Sequence, residues 1–268
     1  MARTFAIYGK GGIGKSTVAS NTAAVYGGEG LKTLLVGCDP KSDSSINIVG
    51  RRIQPLLEIM KTNKKPDPSL FMRSGFNGVN CVEVGGPEPG MGCAGRGLII
   101  GIRYLIETRI TDSFDLVIFD VPADIFCGGL AVVVKEGYAK DALITSSDDF
   151  MSLYATNNLC RGFKTLKVKV GGLVYNKASD DGRKYIEQLA SRIEIPIIGE
   201  VPTSEIIKLC DRMNKTVVET YPSSSEATAF RNLAHNILRN EFSKVPRFIS
   251  SDDLEVLRLG DSKDCYLL

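Results

Sequence analysis

A glycine-rich stretch near the start of the chain has the residue types and spacing to bind the phosphates of a nucleotide. Residues 9–16 read Gly-Lys-Gly-Gly-Ile-Gly-Lys-Ser and fit the pattern G-x-x-x-x-G-K-[ST] between a hydrophobic run and a helical pattern. Glycines let backbone N–H groups turn towards phosphate oxygens, and the following helix N-terminus adds partial positive charge. Lys15 would reach the β- and γ-phosphates, and Ser16 would supply a hydroxyl to Mg²⁺. The alternative is a glycine turn that only joins a strand to a helix.

A second lysine, Lys10, lies at the start of this loop, where phosphate binding alone needs no charge. It could reach the phosphates of a nucleotide held by a facing subunit, as an arginine finger does in trans. Lys10 therefore indicates a dimer that encloses nucleotide, the alternative being a solvated lysine. The nucleotide-binding residues predicted for this loop are Gly9, Lys10, Gly11, Gly12, Ile13, Gly14, Lys15, Ser16 and Thr17.

Two acidic segments follow at the ends of predicted strands. Asp39 lies in the segment 38–43, read CDPKSD, and could position the attacking water. Asp120 ends the run DLVIFD and is suited to hold Mg²⁺ through water, as a Walker B carboxylate does. Each acid taken singly could instead cap a helix. Together with the loop, the two segments predict a nucleotide switch.

Two of the seven cysteines, Cys93 and Cys127, lie in glycine-rich stretches that precede helical patterns. Each would present its sulfur at a helix N-terminus, where N–H groups stabilise a thiolate. Two cysteines cannot hold a cubane iron–sulfur cluster, which takes four thiolates, but a symmetric dimer supplies two from each subunit. The alternative is a pair of unligated thiols in glycine loops.

The remaining cysteines do not form a disulfide or zinc pattern, because they are scattered, odd in number and without a C-x-x-C pair. With His235 as the single histidine, mixed Cys/His zinc sites are nearly excluded. Cys81, Cys160 and Cys210 lie within strand or helix patterns and are predicted to be small buried hydrophobes. Cys38, beside the predicted phosphate site, could be structural.

Short apolar runs alternate with longer helical patterns, and these elements must position the groups above. The runs lie at 5–8, 33–38, 80–84, 115–120, 142–147, 170–176 and 195–201, and the helical patterns at 18–28, 96–108, 128–139, 148–166, 182–193 and 226–242. Apolar runs without alternation predict strands buried on both faces. The sequence therefore predicts an α/β fold: one doubly wound, mostly parallel sheet of the P-loop NTPase type with a deviant Walker A loop, over residues 1–243, and a surface tail at 244–268.

The balance of charge excludes several partners. Thirty-three Lys and Arg residues stand against 31 Asp and Glu, so the formal net charge of +2 creates no basic field for nucleic acid. No apolar run approaches the roughly 20 residues that a membrane helix needs, and the start of the chain lacks signal-peptide features. We expect a cytoplasmic protein without nucleic-acid or membrane partners.

Five segments together resemble the iron protein of nitrogenase and its relatives. They are GKGGIGKST, GCDPKSDS, VEVGGPEPGMGCAGRG, the D-x-x-x-D-x-x-C-G-G spacing of 120–129, and SLYATNN at 152–158. The resemblance runs from about residue 3 to about residue 240. It implies a homodimer that holds one [4Fe-4S] cluster and uses ATP and Mg²⁺ to deliver low-potential electrons to a larger, two-subunit nitrogenase-like reductase. It also implies ferredoxin or flavodoxin as the electron donor.

The resemblance assigns Cys93 and Cys127 as cluster ligands and Arg96 as an exposed arginine at the partner-docking face. Phosphate contacts and Mg²⁺ binding are assigned to Lys10, Lys15, Ser16 and Asp120.

The switches and the base contact are assigned in the same way. Asp39 and Asp43 form a first switch, and Asp124 lies in a second switch that runs into Cys127. Asn176 matches an adenine-contacting asparagine. The residues expected to act in hydrolysis are Lys10, Asp39 and Asp124.

The second switch departs from the family pattern D-x-L-G-D, because this chain has Pro122 and Ala123. Proline removes a backbone donor, and alanine cannot take the φ > 0 conformations that are open to glycine. Coupling between nucleotide and cluster is therefore expected to be tuned differently. A reductase component for tetrapyrrole or carbon–sulfur bond reduction stays an alternative to an orthodox nitrogenase member. A partitioning or positioning ATPase without a cluster is a rival from another class.

Overall fold

The computed structural model describes residues 2–86, 94–122 and 132–259. Within these ranges the strands are β1 (Arg3–Tyr8), β2 (Thr33–Gly37), β3 (Met72–Ser74), β4 (Asn80–Glu83), β5 (Leu116–Asp120), β6 (Asp141–Ser146), β7 (Val170–Ala178) and β8 (Ile197–Pro202). They form one sheet in the order β3-β4-β2-β5-β1-β6-β7-β8. Every pair is parallel except β3 with β4.

The helices of the described residues cover both faces of this sheet. They are α1 (Lys15–Gly28), α2 (Ile46–Val49), α3 (Leu56–Met60), α4 (Pro68–Phe71), α5 (Ala94–Glu107), α6 (Val132–Lys135), α7 (Phe150–Leu166), α8 (Arg183–Ile193), α9 (Glu205–Arg212), α10 (Val217–Thr220), α11 (Ser225–Arg239) and α12 (Ser251–Leu259). None of them has both the length and the apolar character that a membrane crossing requires.

Successive residues of the central strand serve two separate core layers. Ala6 and Tyr8 belong to the layer that includes α5, α7 and α8, and the Tyr8 ring meets Phe163 edge-on at 5.0 Å between centroids. Phe5 and Ile7 belong to the layer with α1 and α11. Because side chains alternate across a strand, burial on both sides explains the unbroken apolar runs. The predicted doubly wound α/β sheet is confirmed.

Parallel pairing also decides where the site lies. β1 is flanked by β5 and β6, and β2 lies between β5 and β4. The register aligns Gly37 with both Glu83 and Asp120, so these strands end side by side. In open parallel sheets, ligands bind outside the carboxyl ends of the strands, where the strand order reverses. That place is the end of β1, from which the glycine-rich loop leaves.

All seven predicted strands are present, and no end is shifted by more than two residues. The strand β3 was missed because it is only three residues long, at the sheet edge, and without an apolar run. The helical pattern at 226–242 ends earlier, at Arg239. Of the pattern at 128–139, the described part holds only the short helix α6. The sequence analysis did not predict helices α2, α3, α4, α9, α10 and α12.

The segment after residue 243, predicted as a surface tail, packs onto the domain as far as residue 259. Val170 pairs with Lys244 in an antiparallel bridge, and Asn157 Nδ2 donates to the carbonyl of Ile249 at 3.0 Å. Leu254 and Leu257 are 2% and 1% exposed and join the core layer of α8. Most residues of 244–257 are exposed or half-buried, but apolar residues one turn apart give the segment a buried face as well. Residues 260–268 lie outside the described residues.

We expect Leu257→Ala to lower the free energy of unfolding by about 2–5 kcal/mol, since it removes a buried side chain and leaves a cavity. Val256→Ala is the matched control, because Val256 lies on the same helix but is 47% exposed; its effect should stay within about 0.5 kcal/mol. Urea unfolding of both variants measures the difference. Equal, small losses would show that α12 adds nothing to the core.

Candidate functional site

The glycine-rich loop is shaped by close backbone approaches. Gly9 has a φ of 150°, and a Cβ there would lie 2.3 Å from the carbonyl oxygen of Thr145. Gly14, with a φ of 98°, immediately precedes α1. Lys15 is largely buried, and its Nζ donates to the carbonyl of Lys10 at 3.2 Å, across the loop. The Lys15 ammonium group thus lies against the backbone of the loop, and phosphate binding by such a loop uses both of these groups.

Side chains from the end of β7 brace this loop. Asn176, which is buried, donates from Nδ2 to the carbonyl of Ile13 at 2.5 Å. Lys177 Nζ donates to the carbonyl of Gly12 at 3.1 Å. A Cβ on Gly14 would lie 2.5 Å from Asn176 Nδ2, so this contact also requires glycine. The predicted contact of Asn176 with adenine stays a prediction; the structure places its amide on the loop.

Asp120 lies at the end of β5, 3% exposed, and its Oδ2 has no hydrogen-bond partner among the described residues. Burial raises the pKa of this carboxyl group, while the hydroxyl of Ser16 and the charge of Lys15 partly offset the rise. A buried carboxylate oxygen without a partner is costly unless a cation or donor meets it. Asp120 and Ser16 therefore fit the predicted Mg²⁺ site, with the hard oxygen ligands that Mg²⁺ prefers.

A second buried carboxylate, Glu83 at the end of β4, was not assigned a role from the sequence. It is fully buried, Oε1 accepts from the backbone N–H of Ser45 at 2.7 Å, and Oε2 has no partner among the described residues. Burial raises the pKa of Glu83 to about 7, and the charges of Asp120 and Asp43 add to the rise. The available signal was an acid inside the apolar run NCVEV at a strand end.

The predicted first switch follows β2 as a tight turn. Asp39 Oδ1 accepts from the N–H of Lys41 at 2.9 Å, and the carbonyl of Asp39 accepts from Ser42 at 3.0 Å. Ser42 has a φ of 54°, which is unusual for a residue other than glycine. Asp39 and Asp43 are half-buried. The acid expected to position water thus closes a turn beside the Mg²⁺ candidate.

Lys10 is paired within its own subunit. Its Nζ lies 3.3 Å from Oδ1 of Asp149, with both side chains substantially exposed. Asp149 caps α7 by accepting from the N–H of Ser152. Partial burial would raise the pKa of Asp149, but bonds from Ser147 and Ser152 and the charge of Lys10 lower it overall. An exposed pair of this kind contributes little stability, so Lys10 can leave it at small cost.

Thr17, predicted to contact nucleotide, points to a different partner. Its hydroxyl donates to Oδ2 of Asp211 at 3.1 Å, and Asn47 Nδ2 donates to Oδ1 of the same carboxylate at 2.8 Å. This network ties α1 to α2 and α9. Thr17 and Asp211 lie far apart in the sequence, so the loop motif alone did not indicate this contact.

The thiols divide into two groups. Cys38, Cys81, Cys160 and Cys210 are free and buried, as predicted for the last three. The predicted cluster ligands Cys93 and Cys127 and the switch residue Asp124 lie outside the described residues. Arg96 is exposed on the first turns of α5, as expected for a docking residue, but its role stays a prediction.

Sequence comparison identifies the relatives of this chain. A family model described as "4Fe-4S iron sulfur cluster binding proteins, NifH/frxC family" matches residues 3–263. Nitrogenase iron protein 2 of Methanothermobacter thermautotrophicus is 43% identical over 255 residues, covering 94% of this chain and 96% of the relative. The nitrogenase iron protein of Methanococcus voltae is 40% identical and covers 95% of each chain.

Solved structures with a similar fold have much lower identity. A ParA family ATPase from Chlorobium tepidum superposes with a TM-score of 0.72 at 19% identity, over 88% of this chain and 99% of that one. The septum site-determining protein MinD of Pyrococcus horikoshii, solved with Mg-ADP, gives 0.70 at 19% identity, over 89% and 97%. At these identities the likeness establishes the fold.

We expect Glu83→Gln to remove a pH-dependent loss of stability. The fold raises the pKa of Glu83 from 4.5 to about 7, so the folded state holds the proton more tightly than the unfolded state. Wild-type stability attributable to this group is therefore fully present below about pH 4.5 and is lost as the pH rises towards 8, by up to about 3 kcal/mol. Urea unfolding at several pH values measures the difference between the two proteins.

The exposed carboxylate of Glu58 provides the control for this experiment. Glu58→Gln should change the pH dependence of the unfolding free energy little, because the Glu58 side chain stays in contact with water in the folded protein. Curves for wild type and Glu83→Gln that run parallel from pH 4.5 to 8 would contradict the expected burial of a titrating group.

Proposed function

The chain belongs to the NifH/frxC family of 4Fe-4S cluster-binding proteins, and on this premise we propose that it is an ATP-dependent reductase component. It would pass low-potential electrons from a [4Fe-4S] cluster, shared by two copies of the chain, to a nitrogenase or nitrogenase-like catalytic partner. The family match over residues 3–263 carries this proposal. Relatives at about 40% identity that are named nitrogenase iron proteins support it.

The nucleotide half of the proposal depends on described residues. The loop N–H groups and Lys15 would bind phosphates, while Ser16 and the unpartnered oxygen of Asp120 would hold Mg²⁺. Asp39 would orient the attacking water after leaving its turn contact with Lys41. Of these groups, Asp39 is the one that would have to move, because its carboxylate accepts from the N–H of Lys41 in the turn.

The electron-transfer half depends on Cys93 and Cys127, which would hold the cluster with the same residues of a second copy. When bound, the cluster supplies a low-potential electron, and its potential responds to hydrogen bonding and solvent exposure. Lys10 would leave Asp149 and bind the nucleotide held by the facing subunit. This contact between subunits would close the dimer. Asp124 would respond to the γ-phosphate and move the chain towards Cys127.

Two alternatives remain distinguishable by experiment. Within the same class, the partner would reduce a tetrapyrrole or a carbon–sulfur bond, and copurification of the partner identifies which. The likeness to ParA and MinD structures is the observation behind a partitioning or positioning ATPase. A colourless protein whose ATP hydrolysis is stimulated by DNA or lipid would favour that function.

We expect Cys93→Ser to abolish the iron–sulfur signal of the dithionite-reduced, anaerobically purified protein. Loss of one thiolate from each subunit leaves too few ligands for a cubane cluster. EPR and iron content measure the loss, and Cys265→Ser should keep both at the wild-type level. A wild-type chain without iron, or a Cys93→Ser variant with normal iron content, would refute the cluster.

We expect Asp120→Asn to remove the Mg²⁺ dependence of nucleotide affinity. Wild type should bind ADP about tenfold more tightly with Mg²⁺ than with EDTA, whereas the neutral amide should bind alike in both. Calorimetric titration with ADP measures the two affinities. The exposed Asp112→Asn variant serves as the control and should retain the Mg²⁺ effect; an undiminished effect in Asp120→Asn would place Mg²⁺ elsewhere.

A further inference from the structure

The first switch, defined here as residues 38–45, runs beside the start of the segment that carries Cys93. β2 and β4 pair in parallel from Leu34 with Asn80 to Gly37 with Glu83, so the two following segments leave the same edge of the sheet together. The N–H of Val84 still donates to the carbonyl of Gly37 at 2.8 Å. Residues 84–86 lead directly into the stretch of the sequence that contains Cys93.

Glu83 fastens the far end of the first switch to β4. Its carboxylate lies over Gly37, where a Cβ would sit 1.9 Å from Oε2 and therefore could not be accommodated. Across this gap, Oε1 accepts the N–H of Ser45 at 2.7 Å. Breaking a buried hydrogen bond of this kind is costly, because it leaves a donor and an acceptor without partners. A displacement of Ser45 therefore pulls directly on the last residue of β4.

Two glycines fasten the near end of the first switch. A Cβ on Gly86 would lie 2.6 Å from Cβ of Pro40, so the backbone of residue 86 rests against the proline ring. Gly85, with a φ of 80°, lies against Pro55 and has the hydroxyl of Ser42 3.7 Å from its ideal Cβ position. Close-packed contacts of this kind transmit displacement because they have no free volume to absorb it.

We propose that the first switch and residues 83–86 move as one body, so that nucleotide bound at the phosphate loop is sensed at the start of the Cys93 segment through Glu83 and Gly86. The inference rests on the proposed function for the presence of a bound nucleotide. It adds a route that is distinct from the second switch, which joins Asp120 to Cys127 along the chain. Glu83 acts here as a positioning residue.

Hydrogen–deuterium exchange of the intact, anaerobically purified protein tests this route, with and without Mg-ADP or Mg-ATP. In wild type, nucleotide should change exchange in peptides that cover 38–55 and 84–98. Glu83→Ala should reduce the response of 84–98 by about half or more while the response of 38–55 and the nucleotide affinity persist. Glu83→Gln should restore it, because the amide oxygen can accept the same N–H of Ser45.

Two further variants complete the test. Asn80→Ala, at the other end of β4, is the control and should leave the response of 84–98 intact. Pro40→Gly, at an exposed position, removes the ring against Gly86 and should weaken the same response even if Glu83→Ala does not fold.

The outcomes separate this inference from the proposed function. A wild-type response in 84–98 that persists in Pro40→Gly and in Glu83→Ala overturns the route, as does a wild-type response confined to 38–55. Either result leaves the reductase proposal intact. A protein in which no peptide responds, because nucleotide does not bind, contradicts the proposed function itself and with it the route.

Discussion

Two buried carboxylates lie at the ends of the strands on either side of β2, with a glycine between them, and the contacts around the candidate site depend on both. Asp120 and Glu83 end β5 and β4, and Gly37 ends the strand that separates them. Each carboxylate keeps one oxygen without a partner among the described residues. Burying such groups opposes folding, and a cation or a moving backbone donor can relieve the cost. We therefore expect a charged ligand at this edge of the sheet to change the contacts of both carboxylates.

The phosphate loop lies where it could bind such a ligand, a nucleotide with its Mg²⁺. Lys15 already crosses the loop to the carbonyl of Lys10, and Asn176, in β7, donates to the carbonyl of Ile13 in the loop. A nucleotide with Mg²⁺ would bring positive charge to Asp120 and negative charge to the loop together. Since Asp120 contributes to the raised pKa of Glu83, neutralising one carboxylate also eases ionisation of the other. In the proposed function, charge at the candidate Mg²⁺ site is thus linked to the contact between Glu83 and the first switch.

The family match and the structural likeness support different conclusions about this protein. The ParA and MinD structures share the fold of this chain at 19% identity. The relatives at about 40% identity add the cluster-binding family, which the fold alone does not indicate. Pro122 lies directly after the strand end, where Val121 still donates to the carbonyl of Ile7 at 3.1 Å. In the proposed function, a stiff residue there would leave more of the coupling between nucleotide and cluster to the first switch.

Local patterns in the sequence determined the strands, the main helices, the phosphate loop and the position of Asp120, because periodicity and glycine spacing are properties of short stretches. The burial of Glu83, the contact of Gly86 with Pro40 and the pairing of Lys10 with Asp149 were decided only by the tertiary structure. So was the packing of Leu254 and Leu257, which gives the predicted surface tail a buried face. Each of these depends on strand register or on residues far apart in the chain, and no short window of sequence contains that information.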